Sequence, residues 1–251
     1  MAEFESSRPG RLLLTKLSLA GHLDVDAEAA IAALPFRVRH LYRDDAIAPA
    51  GTSSDLLMML DGAAARYKTT RWGERLIVGF LLPGDVSDWR LFALRAKGGN
   101  PPPSLDHSIA AITRCSVIGF CSDALAEALQ RHPSVGLALD ASALVDTAIT
   151  FEWLASLGSR PAAARVAHLL LEYYYRLQAV GLAQGGSCHL VLNQFHLSAS
   201  QGLSLVHTNR VLQRLRAEGL VTLDRRTLTL LDQERLEAFA DFSPEYLGYS
   251  R

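Results

Sequence analysis

The sequence predicts an α+β protein: an antiparallel β domain, then one long helix, then a small C-terminal domain of short helices and a β-hairpin. Three observations carry this. Between Phe36 and Phe120 short apolar runs alternate with turn signals at a spacing that suits a sandwich or barrel rather than βαβ units. Residues 134–157 keep helical periodicity without a break. Residues 193–232 read as helix, tight turn, helix and then strand, turn, strand.

The elements follow in order. Residues 12–20 (LLLTKLSLA) come after Arg8 and Arg11 and faintly resemble a signal peptide, but Lys16 interrupts the run and no small-residue cleavage site follows. Residues 24–34 form a helix with acidic residues in its first turn, stopped by Pro35. The strand-like runs are FRVRHLY, DLLMMLDG, AAARYKT, RLIVGFLLPGD and SIAAITRCSVIGF, and the glycines and prolines of AKGGNPPPS (96–104) make that stretch an exposed loop. A short helix spans 123–131. In the long helix, Leu137, Ala141, Leu144, Ala148, Phe151 and Ala155 recur at alternating spacings of four and three. Such a seam suits a partner helix, and its alanines allow close approach. Val145, Ile149 and Trp153 supply a second apolar face, so the helix can pack on its own domain, on a twin chain, or on both.

Gly158 suits a C-cap or hinge, Ser159 caps the next helix with Pro161 in its first turn, and GLAQGGS (181–187) reads as a flexible connection. The expected division is 1–132, a β domain; 133–158, a dimerisation helix and hinge; and 159–251, the C-terminal domain.

Composition excludes several classes. At 49% hydrophobic and 20% charged, a chain of 251 residues buries an ample core and is not disordered. No continuous apolar run reaches the ~18–20 residues of a membrane span, so a cytoplasmic location without membrane contact is expected. Cys115, Cys121 and Cys188 form no C-x-x-C pair, and they read as structural thiols rather than metal ligands. The sequence contains no G-x-S-x-G, P-loop or H-E-x-x-H motif, and an enzyme is not expected. The net charge of −1 hides an uneven distribution. Residues 159–226 hold eight arginines against Glu172, Glu218 and Asp224, whereas 1–158 and 227–251 are each net acidic by three. A basic segment between acidic ones points to an anion-binding face.

That segment contains NQFHLSASQGLSLVHTNRVLQRLRAE (193–218). Phe195 and Leu197 lie near an apolar face, Gly202 sits where a tight turn is needed, and Ser204 caps the second helix. Val206, Val211, Leu212 and Leu215 can pack inward, leaving His207, Asn209, Arg210, Gln213, Arg214 and Arg216 outward. A second helix presenting donors from its N-terminal half meets the requirement for reading a major groove in double-stranded DNA. Arginine can bond guanine O6 and N7, and Asn or Gln can pair with adenine. GLVTLDRRTLTLLD (219–232) then reads as a wing with Arg225 and Arg226 at its tip. The expected DNA contacts are Gln194, Ser204, Leu205, Val206, His207, Asn209, Arg210, Arg214, Arg225 and Arg226. An ordinary helical hairpin with a solvated basic face is the plain alternative.

The run of features resembles the Crp/Fnr family of bacterial transcription regulators over nearly the whole chain, with the most specific matches at LPGDV (82–86), EWLASLGSRPAAARVAHLL (152–170) and LSLVHTNRVLQRLRAEGLV (203–221). The resemblance implies a cyclic-nucleotide-binding-like jelly roll as effector or sensor domain, a dimerising helix and a C-terminal winged helix-turn-helix. It implies a homodimer on a palindromic operator, contacting RNA polymerase if it activates. Where cyclic-AMP receptor proteins carry an Arg-Glu pair for base reading, this chain has Leu205 and Val206, while Arg210 aligns with the family's second base-reading arginine. Leu205 or Val206 can touch a thymine methyl.

The effector cassette departs from the family. Asp88-Trp89 stands where the ribose-binding Gly-Glu belongs, and SLDHSIAAI (104–112) places Asp106 near the phosphate-binding Arg-Ser, so cyclic AMP is not expected to bind. This degeneracy resembles an alphaproteobacterial subgroup of the family. The first cysteine is Cys115, so no N-terminal iron–sulfur cluster is expected, and the haem ligands that could be proposed, His40 or His107, are better read as surface or hydrogen-bonded residues. A pocket bordered by Gly84, Asp85, Val86, Asp88, Trp89, His107, Ser108 and Asp146 either holds another small molecule of unknown identity or is filled by its own side chains. Control by abundance or a protein partner, without an effector, is the alternative.

Overall fold

The computed structural model describes residues 2–52, 56–73, 75–96 and 104–248. The chain divides into two compact units, Met1–Asp146 and Thr147–Arg251. Of the loop expected at 96–104, residues 97–103 lie outside the described residues.

The N-terminal unit opens with helix α1 (Ala2–Ala20), which contains the run 12–20 that faintly resembles a signal peptide. Leu13 and Leu17, one helical turn apart, are buried in the core. Lys16, the residue that interrupts the apolar run, is itself buried, its ammonium 3.0 Å from the buried Asp85 carboxylate. At Gly10 a Cβ would stand 3.1 Å from the backbone of Ala32, so glycine lets α1 lie against α2 (Val25–Ala32). Helix α2 begins where expected, with the Ala27 N–H donating to the Asp24 carboxylate at 2.8 Å.

Strands β1 (Phe36–Leu41), β2 (Ala46–Ala48), β3 (Leu57–Asp61), β4 (Ala64–Thr69), β5 (Arg75–Leu81), β6 (Ser108–Ala111) and β7 (Cys115–Phe120) form two antiparallel sheets, β1-β7-β3 and β2-β6-β4-β5. Alternation on β3 and β7 builds two cores. Leu57, Met59, Cys115 and Val117 join Ile47, Ala64, Leu81 and Ile109 between the sheets. Met58, Ile118 and Phe120 point the other way, to the helical layer of α1, α2, α3 (Trp89–Ala96), α4 (Ser122–Arg131) and the start of α5 (Pro133–Ser159). Burial on both faces explains why β3 reads as a continuous apolar run. The sequence reading missed β2, which is three residues long, and α3.

Helix α5 matches the long periodic stretch and runs through the division between the units. Gly158 lies inside it rather than at a left-handed C-cap, and the Ser159 hydroxyl donates back to the Ala155 carbonyl instead of capping the next helix. By length and composition α5 is also apolar enough to cross a bilayer, which no continuous run in the sequence suggested. Its carboxylates are held within the protein: Asp140 by the Trp89 indole N–H, Asp146 by Arg66 and Glu152 by Arg160.

In the C-terminal unit, α6 (Ala162–Ala179) carries a fully buried Glu172 that accepts from the Trp153 indole (3.0 Å), the Arg176 guanidinium (2.9 Å) and the Tyr246 hydroxyl (3.2 Å). Three donors satisfy a charge that would otherwise be costly to bury, and they tie the last turns of α5 and the 3₁₀ turn Pro244–Leu247 to α6. The segment read as a flexible connection is a hairpin of β8 (Ala183–Gln184) and β9 (Ser187–His189). The unit continues through α7 (Gln194–Gln201), α8 (Leu205–Ala217), β10 (Val221–Asp224), β11 (Thr227–Leu230) and α9 (Gln233–Ala240), and its sheet runs β10-β11-β9-β8.

Candidate nucleic-acid interface

Helices α7 and α8 are delimited by local chemistry. Asn193 caps α7 in a reciprocal box: its side chain accepts from the His196 N–H at 3.0 Å, and its own N–H donates to His196 Nδ1 at 3.2 Å. Gly202 closes α7 at φ 60°, a left-handed position glycine takes without a steric penalty. The Ser204 hydroxyl then accepts from the His207 N–H at 3.2 Å and opens α8.

On α8 the buried stripe is Thr208, Val211, Leu212 and Leu215, and the helix packs against α6 and α7. Val206, expected both to pack inward and to touch DNA, is 71% exposed, on the face of α8 opposite the stripe that Thr208 joins. Phe195 is likewise exposed, while its neighbour Leu197 is buried. The outward face presents Leu205, Val206, His207, Asn209, Arg210, Gln213 and Arg214, and Gln194 is exposed at the start of α7. Two of the arginines are engaged. Arg214 bonds Glu218 at 2.7 Å and lies over the Phe239 ring, and the half-buried Arg216 donates to the Leu223 carbonyl at 3.2 Å. Arg210, Arg225 and Arg226 are exposed, and none of them forms an ion pair among the described residues. Arg225 and Arg226 occupy the tip of the β10–β11 hairpin at φ 44° and 68°. A helix with a cationic, hydrogen-bonding outer face beside a hairpin with an arginine tip can neutralise phosphates and read base edges together.

The residues expected to line an effector pocket fall into separate groups. Asp85 turns toward α1: it pairs with Lys16 and accepts from the Leu82 N–H at 2.7 Å, in a turn where Gly84 sits at φ 89°. Val86 bridges Met58. The Trp89 indole donates to Asp140 at 2.9 Å, and the Ser108 hydroxyl accepts from the Ala50 N–H at 3.1 Å. Asp88, His107 and Asp146 do come together, around a residue the sequence reading missed. Arg66 on β4 reaches Asp146 at 3.1 Å and the Val86 carbonyl at 3.4 Å. His107 stands 3.5 Å from Asp88, an ion-pair distance too long for a good hydrogen bond, and its other nitrogen is 2.7 Å from Asp106. Lys68, also on β4, bonds Asp106 at 2.6 Å. Lys68 first, then His107, hold the Asp106 carboxyl down at about 2. The signal for Arg66 and Lys68 was their period-2 spacing, which puts two cations on one face of a strand. Between the two sheets, Ile47, Leu57, Met59, Leu81, Asp85 and Val117 help to line a cavity of about 10 Å³, room for one water and not for a nucleotide. Among the described residues no group of three or more His, Cys, Asp or Glu side chains could hold a metal ion.

Comparison with known proteins fits this geometry. Residues 164–239 match the Crp-like helix-turn-helix domain. The chain is 28% identical over 182 residues to the nitrogen fixation regulation protein FixK of Bradyrhizobium diazoefficiens, covering 72% of each chain. It is 24% identical over 225 residues to the transcriptional activatory protein AadR of Rhodopseudomonas palustris, covering 89% of each. The structure of FixK2 from Bradyrhizobium japonicum superposes with a TM-score of 0.69 at 25% identity, over 84% of this chain and all of that one. With its β-sheet domain, long helix and Crp-like helix-turn-helix, the chain is similar over most of its length to DNA-binding transcription regulators of the Crp/Fnr type.

Proposed function

We propose that the protein works as a homodimer on a two-fold-symmetric DNA operator and that its β-roll needs no small-molecule effector to make it competent. The observation that carries the DNA reading is the pairing, in one unit, of the exposed α8 face with the left-handed Arg225-Arg226 tip. In this reading α8 enters the major groove, with Arg210 on a guanine and His207, Asn209 and Gln194 on base edges or phosphates. Ser204 holds the first turn of α8, and Arg225 and Arg226 lie on the flanking backbone. Arg214, shared with Glu218, contributes less than its charge suggests.

Dimerisation through α5 is supported by the exposure of Leu137, Leu144 and Phe151, which are 70%, 60% and 66% accessible and seven residues apart, with the partly covered Ala141 and Ala148 and the exposed Ala155 between and beyond them. A second copy is the natural cover for such a stripe. The functional division we adopt is 1–132 for the roll, 133–158 for the dimer helix and 159–251 for DNA binding.

The effector-independent reading is favoured by the way the side chains expected to line an effector pocket are engaged with one another: Asp85 with Lys16, Trp89 with Asp140, and His107 with Asp106. Where the resemblance places a cyclic phosphate, Asp106 adds a carboxylate, and the Arg66–Asp146 and Trp89–Asp140 bonds join the roll to α5 through side chains of the protein itself. Cyclic AMP is therefore not the effector in this reading. AadR is named a transcriptional activatory protein and FnrL of Cereibacter sphaeroides a transcriptional activator protein. Activation through RNA polymerase in the cytoplasm is the corresponding role here.

Selection of sites from a random DNA pool, with purified protein and no added ligand, tests the reading. A palindrome bound with steep salt dependence is the expected outcome. Recovery of a palindrome only after cell extract is added would overturn effector independence. Weak, sequence-blind binding in both cases would overturn the operator reading.

A further inference from the structure

We propose that residues 241–247, the stretch after α9, form a clasp that locks the joint between α5 and the DNA-binding helices, so that a dimer presents its two α8 helices at one fixed separation. The proposal rests on the homodimer and operator reading above and deepens it, by naming what holds the geometry in place of an effector.

Only Arg160 and Pro161 separate α5 from α6, and the proline ring fixes its own φ, here −59°. The angle between the two helices therefore turns on very few backbone torsions. Gly158, just before the link, adds freedom: a Cβ there would meet nothing within 4 Å. A joint of this kind swings unless side chains tie across it.

Three ties do so, and each ends on the 241–247 stretch. Arg160, on the link itself, donates to Glu152 of α5 at 3.1 Å and to the carbonyl and carboxylate of Asp241 at 3.0 and 3.2 Å. Phe242 meets His168 of α6 edge-on, with ring centres 4.9 Å apart. Tyr246 stacks on the same imidazole, and its hydroxyl donates to Glu172, the buried carboxylate of α6 that also accepts from the Trp153 indole of α5. The stretch thus reaches α5, the link and α6 at once.

Two details fit a fastening rather than a passive tail. Asp241 closes α9 at a left-handed φ of 50°, where glycine is the ordinary choice, and the carboxylate that it brings goes to Arg160. Burial first and the Arg160 cation second hold the His168 pKa down at about 4, so at neutral pH the ring is uncharged and packs as an aromatic surface. None of these residues lies on the outward face of α8 or at the wing tip, so the clasp can be opened without touching the DNA contacts.

The test uses the full-length protein with Arg160→Gln and Tyr246→Phe combined, which removes two ties and little core volume. Hydrogen exchange reads the joint without DNA. The Arg160 N–H donates to the Ser156 carbonyl at 3.1 Å. Amides 158–160 should exchange about tenfold faster or more in the variant, the scale of one lost hydrogen bond to a charged group. Protection of α7 and α8 should stay at the parent level. Exchange at the joint equal to the parent's overturns the clasp.

The second measurement takes the operator recovered by selection and moves its half-sites apart or together by one base pair, which turns one against the other by about 35° and shifts it by about 3.4 Å. The parent should bind one spacing best. In the variant the ratio of affinities between spacings should fall toward one, while a lone half-site is bound as before. A ratio as steep as the parent's overturns the clasp's role on DNA. Loss of the lone half-site as well would make the stretch part of the helix-turn-helix fold itself and overturn the clasp. Failure to select any operator overturns the operator reading and the clasp's use on DNA, and exchange alone then decides whether the joint is fastened.

Discussion

The C-terminal unit builds the same turn twice from different residues. Between β8 and β9 the two central positions are Gly185 and Gly186, at φ 57° and 75°; between β10 and β11 they are Arg225 and Arg226, at φ 44° and 68°. Both hairpins need left-handed backbone at both positions, the geometry that matches strand twist. Glycine takes it without a steric penalty, whereas a residue with a Cβ loses about 1–2 kcal/mol. The first hairpin follows local backbone preference and the second violates it twice in succession. Strain kept at an exposed, doubly cationic tip marks the place where side-chain chemistry outranks stability.

The strongest test of this contrast lies in a third turn. Gly62, at φ 70°, would place a Cβ 2.5 Å from the Arg114 carbonyl oxygen. Gly62→Ala therefore adds a clash to the strain and should cost roughly 3 kcal/mol or more, read as a large fall in Tm. A variant that melts with the parent would show that the β3–β4 turn gives way easily. Next come Gly186→Arg and Gly185→Arg. A Cβ at Gly185 meets nothing within 4 Å, so only the backbone penalty of about 1–2 kcal/mol applies there. At Gly186 it would stand 3.1 Å from the Leu230 carbonyl, and the loss should be larger. Chemical denaturation compares the two, and equal losses would break the distinction between strain and crowding. The reciprocal exchange, Arg225→Asn with Arg226→Gly, should hold or raise stability. It should also make the salt slope of DNA binding shallower by about 0.9 for each arginine removed from a phosphate. An unchanged slope would detach the wing from the backbone.

The smallest effect concerns pH. Burial disfavours the charged form of His107, but the carboxylates of Asp88 and Asp106 outweigh it and raise the pKa above 6.5. Stabilisation from a raised pKa is full below the unfolded value and is lost as pH rises through the folded one. His107→Gln should therefore flatten the stability curve just above pH 6.5, measured by denaturation across that range.

What was legible in the sequence was local. Asn193, Gly202, Ser204 and the Val211–Leu212–Leu215 spacing act within a few residues of themselves, so cap, turn and buried face could be read directly. Val206 misled because its apolar side chain was grouped with Val211, Leu212 and Leu215, whereas their spacing sets the buried stripe on the opposite face of α8. GLAQGGS looked flexible for the reason that makes it a tight hairpin: glycine permits both, and only pairing with the neighbouring strand decides. The roll's charge cluster was hidden because Arg66 and Asp146 are 80 residues apart and meet only after the sheets form. Helix α1 was obscured by Lys16, whose partner Asp85 lies 69 positions away.

The bond from Arg216 to the Leu223 carbonyl fastens α8 to the first strand of the wing hairpin. In the proposed binding mode helix and hairpin are the two jaws of one caliper, and this bond helps to set the gap between them within the protein. A half-site lengthened by one base pair between groove and flank would then bind only by breaking that bond or by giving up one of the two contacts.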